Sequence, residues 1–178
     1  MVEGARLEIV YMLSVSGVRI PLSPPCVFMK ITILTVGKKN EPWVSPGFLR
    51  FCERLRAPFE TEMVVLPHSS KPSLLAVQDE SEVVLSRLRA DDFVVLLDER
   101  GKNLSSPELS KLITENVSRH IVFIIGGAYG VSDEVRNRSD VLWSLSQLVF
   151  PHQLVRLILA EQLYRAQEIS RGGKYHHE

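Results

Sequence analysis

The sequence predicts an α/β protein, a mostly parallel sheet with helices on both faces, formed as one domain by residues 29–178. Three observations predict it. From residue 30 onward, short apolar runs alternate with stretches of helical character, the order that builds parallel sheets. The runs at 93–97 and 121–125 are continuously apolar, as strands covered on both faces are. The second run leads directly into Gly126-Gly127-Ala128-Tyr129-Gly130, and open α/β sheets bind ligands at the carboxyl ends of their strands.

Each element has a local reason. Residues 30–36 (KITILTV) read as the first strand and 37–40 (GKKN) as a turn. Ser45-Pro46 reads as a helix start, with Ser45 as N-cap and proline in the first turn. That helix runs through Phe48, Phe51 and Leu55 and must stop before Pro58. Strand two is 61–66; a polar loop, 68–71, leads through Pro72 into a helix that continues to about residue 88. After the strand at 93–97, Ser106-Pro107-Glu108 opens a helix. The strand at 121–125 is followed by Ser132-Asp133-Glu134, which starts a short helix with acids at its positive end. Strand five is 141–145. The last helix runs from Pro151 to about Arg171, where Gly172-Gly173 ends it. Its apolar residues cover much of its circumference, so more than one surface must cover it, either a partner copy or deep packing in the same chain.

Composition excludes several classes. The chain has 178 residues, 45% of them hydrophobic and 24% charged, the balance of an ordinary globule. Its 21 basic residues match 21 acidic ones, so any RNA binding needs a local basic patch. Two cysteines make no disulfide framework, which fits a reducing cytoplasm. No apolar stretch is long enough for a membrane span. Residues 1–28 have neither the cationic start nor the unbroken apolar centre of a signal peptide. They are expected to be a disordered or non-native extension, with Met29 as the natural start. The histidines are scattered and no thiolates accompany them, so no metal is expected.

The motifs narrow the chemistry. The glycine loop is GGxxG behind the fourth strand with no acid about 20 residues on, which speaks against a nicotinamide cofactor. No P-loop and no GxSxG elbow occur. Residues 97–102 (LDERGK) end strand three on the same edge as the glycine loop. Their acids can face a cationic ligand, and Arg100 and Lys102 can meet phosphate; a solvated turn explains them equally well. His152 and Arg156 are spaced i,i+4 and share a helix face, with His152 beside the free N–H groups of the first turn. Glu161 and Arg165 have the same spacing and read as a structural pair. The tail carries Lys174, Tyr175, His176 and His177, side chains able to stack on a base or meet phosphate.

Taken together, residues 29–38, 97–102, 125–130, 145–154, 161–166 and 175–177 resemble the SPOUT methyltransferases, specifically the ribosomal RNA large subunit methyltransferase H family, over residues 29–178. The resemblance implies a homodimer with a C-terminal trefoil knot and S-adenosylmethionine held by the knot loops. The positions implied for it are Leu97, Gly126, Leu145, Ser146, Gln147, Leu148, Val149 and Phe150. It implies N3-methylation of a pseudouridine in 23S ribosomal RNA on the assembled ribosome, without metal or membrane. His152, Arg156, Tyr175 and His176 are then the residues expected to handle the base: His152 as proton acceptor or orienter, Arg156 at developing charge or phosphate, the tail pair on the nucleotide. The competing expectation is a dimeric module that binds RNA or ribosomes without catalysis.

Overall fold

The computed structural model describes residues 30–38 and 40–176; the extension expected at 1–28 lies outside them. Ten elements alternate: β1 (Lys30–Val36), α1 (Ser45–Cys52), β2 (Glu60–Leu66), α2 (Ser73–Leu85), β3 (Phe93–Asn103), α3 (Ser106–Glu115), β4 (Ile121–Ile125), α4 (Asp133–Arg138), β5 (Val141–Ser144) and α5 (His152–Ser170). The five strands pair in the order β2-β1-β4-β3-β5, and every pairing is parallel.

The continuous apolar strands follow from two separate cores. Ile31, Ile33, Phe93, Val95, Ile121, Phe123 and Ile125 point to the face covered by α1, α3 and α5. Their neighbours Leu34, Val94, Leu96, Val122 and Ile124 point to the other face, which packs against Val84 of α2 and Val135 of α4. A period of two with both phases apolar leaves no polar positions along the strand.

The local readings differ at two places. Ser45 is not the N-cap of α1; Val44 is, and no side chain caps that end. Ser45 lies inside the helix, its hydroxyl turned back to the Glu41 carbonyl at 3.4 Å. Helix α3 opens at Ser106 as expected, capped by Ser105, whose hydroxyl accepts the Glu108 N–H while Glu108 accepts the Ser105 N–H, a reciprocal capping box. The charged stretch after residue 97 is not a turn that ends β3. The strand continues to Asn103, and Trp143 of β5 pairs with both Leu97 and Lys102. Residues 98–101 therefore leave the ladder as a bulge. Gly101 is required there, because a Cβ would lie 2.5 Å from the Leu142 carbonyl carbon.

Beyond β5, at one edge of the sheet, the chain turns back. Helix α5 packs against α1 and α3 and reaches β4 near the sheet centre. Leu159, Ala160, Leu163 and Ala166 form its buried stripe. Gln167 is buried with them and its side-chain amide oxygen accepts the Arg56 N–H. At the far end Gly172 takes a positive φ of 66° and ends the helix.

The amino edge of the sheet carries a buried polar network. Asp92, fully buried, accepts from His120 Nδ1 at 2.8 Å, and His120 Nε2 lies 2.8 Å from the Thr32 hydroxyl. That hydroxyl donates to Glu62 at 3.0 Å. These bonds lock β1, β2 and β4 together at the end away from the glycine loop.

Candidate functional site

Three adjacent strands, β4, β3 and β5, end side by side at the carboxyl edge. Their continuations enclose a cavity of about 390 Å³, a size suited to a small organic ligand. The bulge after Leu97 supplies one wall, the glycine loop after Ile125 a second, and the segment after Ser144 a third. The first residue of α5, His152, closes it.

Each wall is held by its own bonds. In the glycine loop, Gly130 N–H donates to the Gly127 carbonyl at 3.0 Å, and Gly130 has a φ of 81°, which favours glycine. At the bulge, Asp98 accepts from Arg136 Nε at 3.0 Å, and Asp133 accepts from the same guanidinium at 2.9 Å. Arg136 is thus matched by two carboxylates and held firmly cationic at the cavity edge. In the third wall the Ser144 hydroxyl donates to the Ser146 carbonyl, the Ser146 hydroxyl accepts the Leu148 N–H, and the Asn103 amide donates to the Ser144 carbonyl.

Of the positions the resemblance implied, Leu97, Gly126, Leu145, Ser146, Leu148, Val149 and Phe150 line this cavity. Gln147 belongs to the same loop but is exposed and outside the lining. Leu148 and Val149, 69% and 83% exposed, stand with exposed Tyr129 around the mouth. Such a cluster of large apolar side chains marks a surface that another molecule covers.

The four residues expected to handle a base separate. His152 is in the cavity wall. Burial first, and then the Arg156 guanidinium, push its pKa below the ordinary imidazole value, while the Glu80 carboxylate works in the opposite direction. The neutral form, which can accept a proton, is thereby favoured.

Arg156 is not in the cavity. Sharing a helix face with His152 places it one turn deeper, where only 1% of it is exposed. Its Nε donates to the Thr35 hydroxyl at 2.9 Å, and one terminal nitrogen donates to the Lys38 carbonyl at 2.8 Å and the Asn40 side chain at 3.1 Å. All these acceptors are neutral, and burial pulls its pKa down. In this position the guanidinium braces α5 against the end of β1.

Tyr175 and His176 also lie outside this cavity. The tail folds back on α5: Tyr175 donates to Glu161 at 3.2 Å and packs edge-on against Tyr164, with the Arg165 guanidinium over its ring. Burial raises the Tyr175 pKa, and neighbouring Glu161 adds to it. Glu161 follows His152 by nine residues, about 13 Å along a helix. The Glu161–Arg165 pair is present, with Arg165 Nε donating at 3.0 Å. Among the described residues His176 Nδ1 is buried without a hydrogen-bond partner, as is Trp143 Nε1. Also among them, no group of three His, Cys, Asp or Glu could hold a metal ion, and no helix is long and apolar enough to cross a membrane.

Sequence reasoning missed two contributors. Glu80 of α2, buried at 7% exposure, lies under the glycine loop, and Arg136 of α4 pins the bulge. Neither sits in a motif; only the three-dimensional packing brings them to the site.

Residues 29–176 match the family described as Predicted SPOUT methyltransferase. The ribosomal RNA large subunit methyltransferase H of Desulfitobacterium hafniense DCB-2 is 39% identical over 158 residues, covering 83% of this chain and 99% of that one. The protein of the same name from Cytophaga hutchinsonii is 38% identical over 155 residues, covering 84% of this chain and all of that one. Among solved structures, the SpoU methyltransferase AviRb from Streptomyces viridochromogenes in complex with AdoMet aligns at 16% identity with a TM-score of 0.42, over 85% of this chain and 64% of that one, a likeness too weak to carry an argument. Sequence identity over nearly the full length of the curated relatives, together with the family match, means that this chain belongs to the SPOUT methyltransferases, in the ribosomal RNA large subunit methyltransferase H family.

Proposed function

We propose that this protein uses S-adenosylmethionine to methylate ribosomal RNA of the large subunit, and that the methyl group goes to N3 of a pseudouridine in 23S RNA within the assembled ribosome. The observation that carries the reading is the meeting of three strand ends in one cavity, with a histidine in its wall. The names of the curated relatives support the substrate class.

The residues present fit such a donor. Leu97, Ile125, Leu145 and Val155 offer apolar surface for an aromatic ring, and the glycine loop lets backbone come close to a ligand. Glu99, exposed at the rim, suits a cationic group. Leu97, Gly126, Leu145, Ser146, Leu148, Val149 and Phe150 would hold it, with Gln147 in the same loop. When bound, the donor supplies an electrophilic methyl carbon on a sulfonium. His152 orients the imide and takes the N3 proton, the task a neutral imidazole performs near pH 7. Arg156 acts through α5, fixing the turn that carries His152 against the end of β1.

The same reading makes residues 29–178 the catalytic unit, with 1–28 outside it, and makes that unit a homodimer in the cytoplasm. Exposed Tyr129, Leu148 and Val149 at the mouth support a partner copy there. In that dimer Tyr175 and His176 serve the partner's cavity. The return of α5 from the sheet edge to its centre supports the C-terminal trefoil knot. Calorimetry with S-adenosylmethionine, followed by labelled methyl transfer to ribosomes from cells lacking the modification, tests the proposal. Donor binding with one methyl group gained by a 23S fragment is the expected result. Absence of donor binding removes the reading; binding without transfer leaves a non-catalytic module.

A further inference from the structure

Helix α2 is mostly exposed on its outer side, yet it buries two adjacent polar side chains, Glu80 and Ser81. Both go to the glycine loop. The Ser81 hydroxyl accepts the Ser132 N–H at 2.9 Å, at the end of the loop. One Glu80 oxygen accepts the Ser69 N–H at 2.9 Å; the other lies so close under Gly127 that a Cβ on that residue would sit 2.1 Å from it. A buried carboxylate is costly to desolvate and is retained where its position matters. We propose that Glu80, with Ser81 beside it, is a positioning pair of the site: it sets the glycine loop at both ends, and Glu80 supplies the negative charge that balances Arg156 at His152. This rests on the methyl-transfer reading only in the last step, where loop and histidine meet substrate.

Arg156 stands one turn along α5, and Glu80 of α2 lies under Gly127, which lines the same cavity as His152. Across the cavity are Asp98, which is paired with Arg136 from α4, and Glu99 and Arg100 of the bulge. Glu80 is the carboxylate that offsets Arg156, so neutralising it leaves His152 harder to protonate. Gly127 is the matching half: its missing side chain is what admits the carboxylate.

The test compares Glu80→Gln, Glu80→Ala and Ser81→Ala in the full chain. Amide hydrogen exchange at Gly130 and Ser132 reads the loop without any ligand, and NMR titration of the His152 ring reads the charge. Glu80→Ala is expected to speed exchange at both amides at least tenfold, and Ser81→Ala at Ser132 alone. Glu80→Gln, which keeps the shape and the acceptor for Ser69, should restore loop protection and still lower the His152 midpoint; a merely structural residue would not move it. Unchanged exchange in a folded Glu80→Ala overturns the positioning role. An unmoved His152 midpoint in Glu80→Gln overturns the electrostatic one. Should Glu80→Ala fail to fold, Glu80→Gln and Ser81→Ala decide alone. If these results hold while the wild type binds no S-adenosylmethionine, the methyl-transfer reading fails and the positioning pair stands.

Discussion

Replacing Arg156 by methionine separates a brace from a catalytic contact. The side chain keeps its bulk and loses its charge, along with donors to the Thr35 hydroxyl, the Lys38 carbonyl and the Asn40 side chain. A hydrogen bond to a charged group contributes about 1.5–3 kcal/mol, so three would give up roughly 5–9 kcal/mol if they were additive and free of cost. They are not. The cation is buried without a carboxylate partner, and its desolvation costs several kcal/mol, which the methionine recovers. Lys38 is exposed, so water can replace the donor to its carbonyl. Thr35 is fully buried and its hydroxyl is left to find a new partner. The net loss is about 2–4 kcal/mol, or a Tm lower by roughly 6–12 °C for a domain of this size.

Arg156→Lys should cost less, about 1–2 kcal/mol, because an ammonium can meet one or two of the acceptors but not the spread of a planar fork. Urea unfolding followed by tryptophan fluorescence measures both variants. Donor affinity and transfer rate, measured below the unfolding transition, complete the set. The brace predicts that stability falls first and that transfer falls with it as His152 loses its seat. A methionine variant as stable as wild type but unable to transfer would refute the argument and return the guanidinium to the substrate.

Three other outcomes follow from the same structure. His152→Ala should lower transfer about a hundredfold, the usual reach of a general base, and by far more than it weakens donor binding. In the wild type, burial depresses the imidazole pKa, so the acid limb of the rate profile should lie below the ordinary histidine value of about 6.5. The stability that neutral His152 contributes is present above that unfolded value and is lost as pH falls through the lower folded one, which acid unfolding curves of wild type and His152→Ala will resolve. Gly101→Ala pushes a methyl group into the backbone of Leu142 and Trp143, at 2.5 to 2.7 Å, and none of these atoms belongs to a side chain that can swing away. It should cost about 1–3 kcal/mol by thermal unfolding and weaken donor binding by reopening the β3–β5 ladder. Cys52, whose thiol burial lifts to about 11, should react with iodoacetamide at pH 8 roughly two hundredfold more slowly than a free cysteine, read by mass spectrometry of its peptide.

What could be read from sequence depended on whether the signal was local. The strand at 121–125 was legible because five consecutive β-branched or aromatic residues leave no other element to choose. The end of β3 was not, because Asp98, Glu99 and Arg100 have the composition of a solvated turn, and only pairing of Lys102 with Trp143 makes them a bulge. Ser45 met the rule for an N-cap, but the turn bonded through Glu41 and Val44 begins the helix one residue earlier. The cavity residues came through family resemblance, not through any pattern in the residues themselves, since a wall made of backbone and apolar side chains leaves no side-chain signature. Arg156 and Glu80 were opaque for another reason. A charged residue at i+4 from a histidine looks the same whether it faces solvent or the floor of a helix. Only the crossing of α5 over β1, and of α2 under the glycine loop, decides it.

The strand order explains why chemistry and stability share one helix. Because β4 lies between β1 and β3, the ends of β4, β3 and β5 form three neighbouring walls, while the end of β1 stands on the far side of β4. A helix that starts at β5 and returns across the sheet therefore passes the cavity first and β1 next. One turn separates His152 at the cavity from Arg156 at Thr35, so the residue that meets the ligand and the residue that ties the helix to the centre of the fold cannot move independently. Glu80 approaches the same point from the opposite face of the sheet, beneath Gly127. The cavity thus lies between two buried side chains of opposite charge, carried by helices that pack on opposite faces of the sheet.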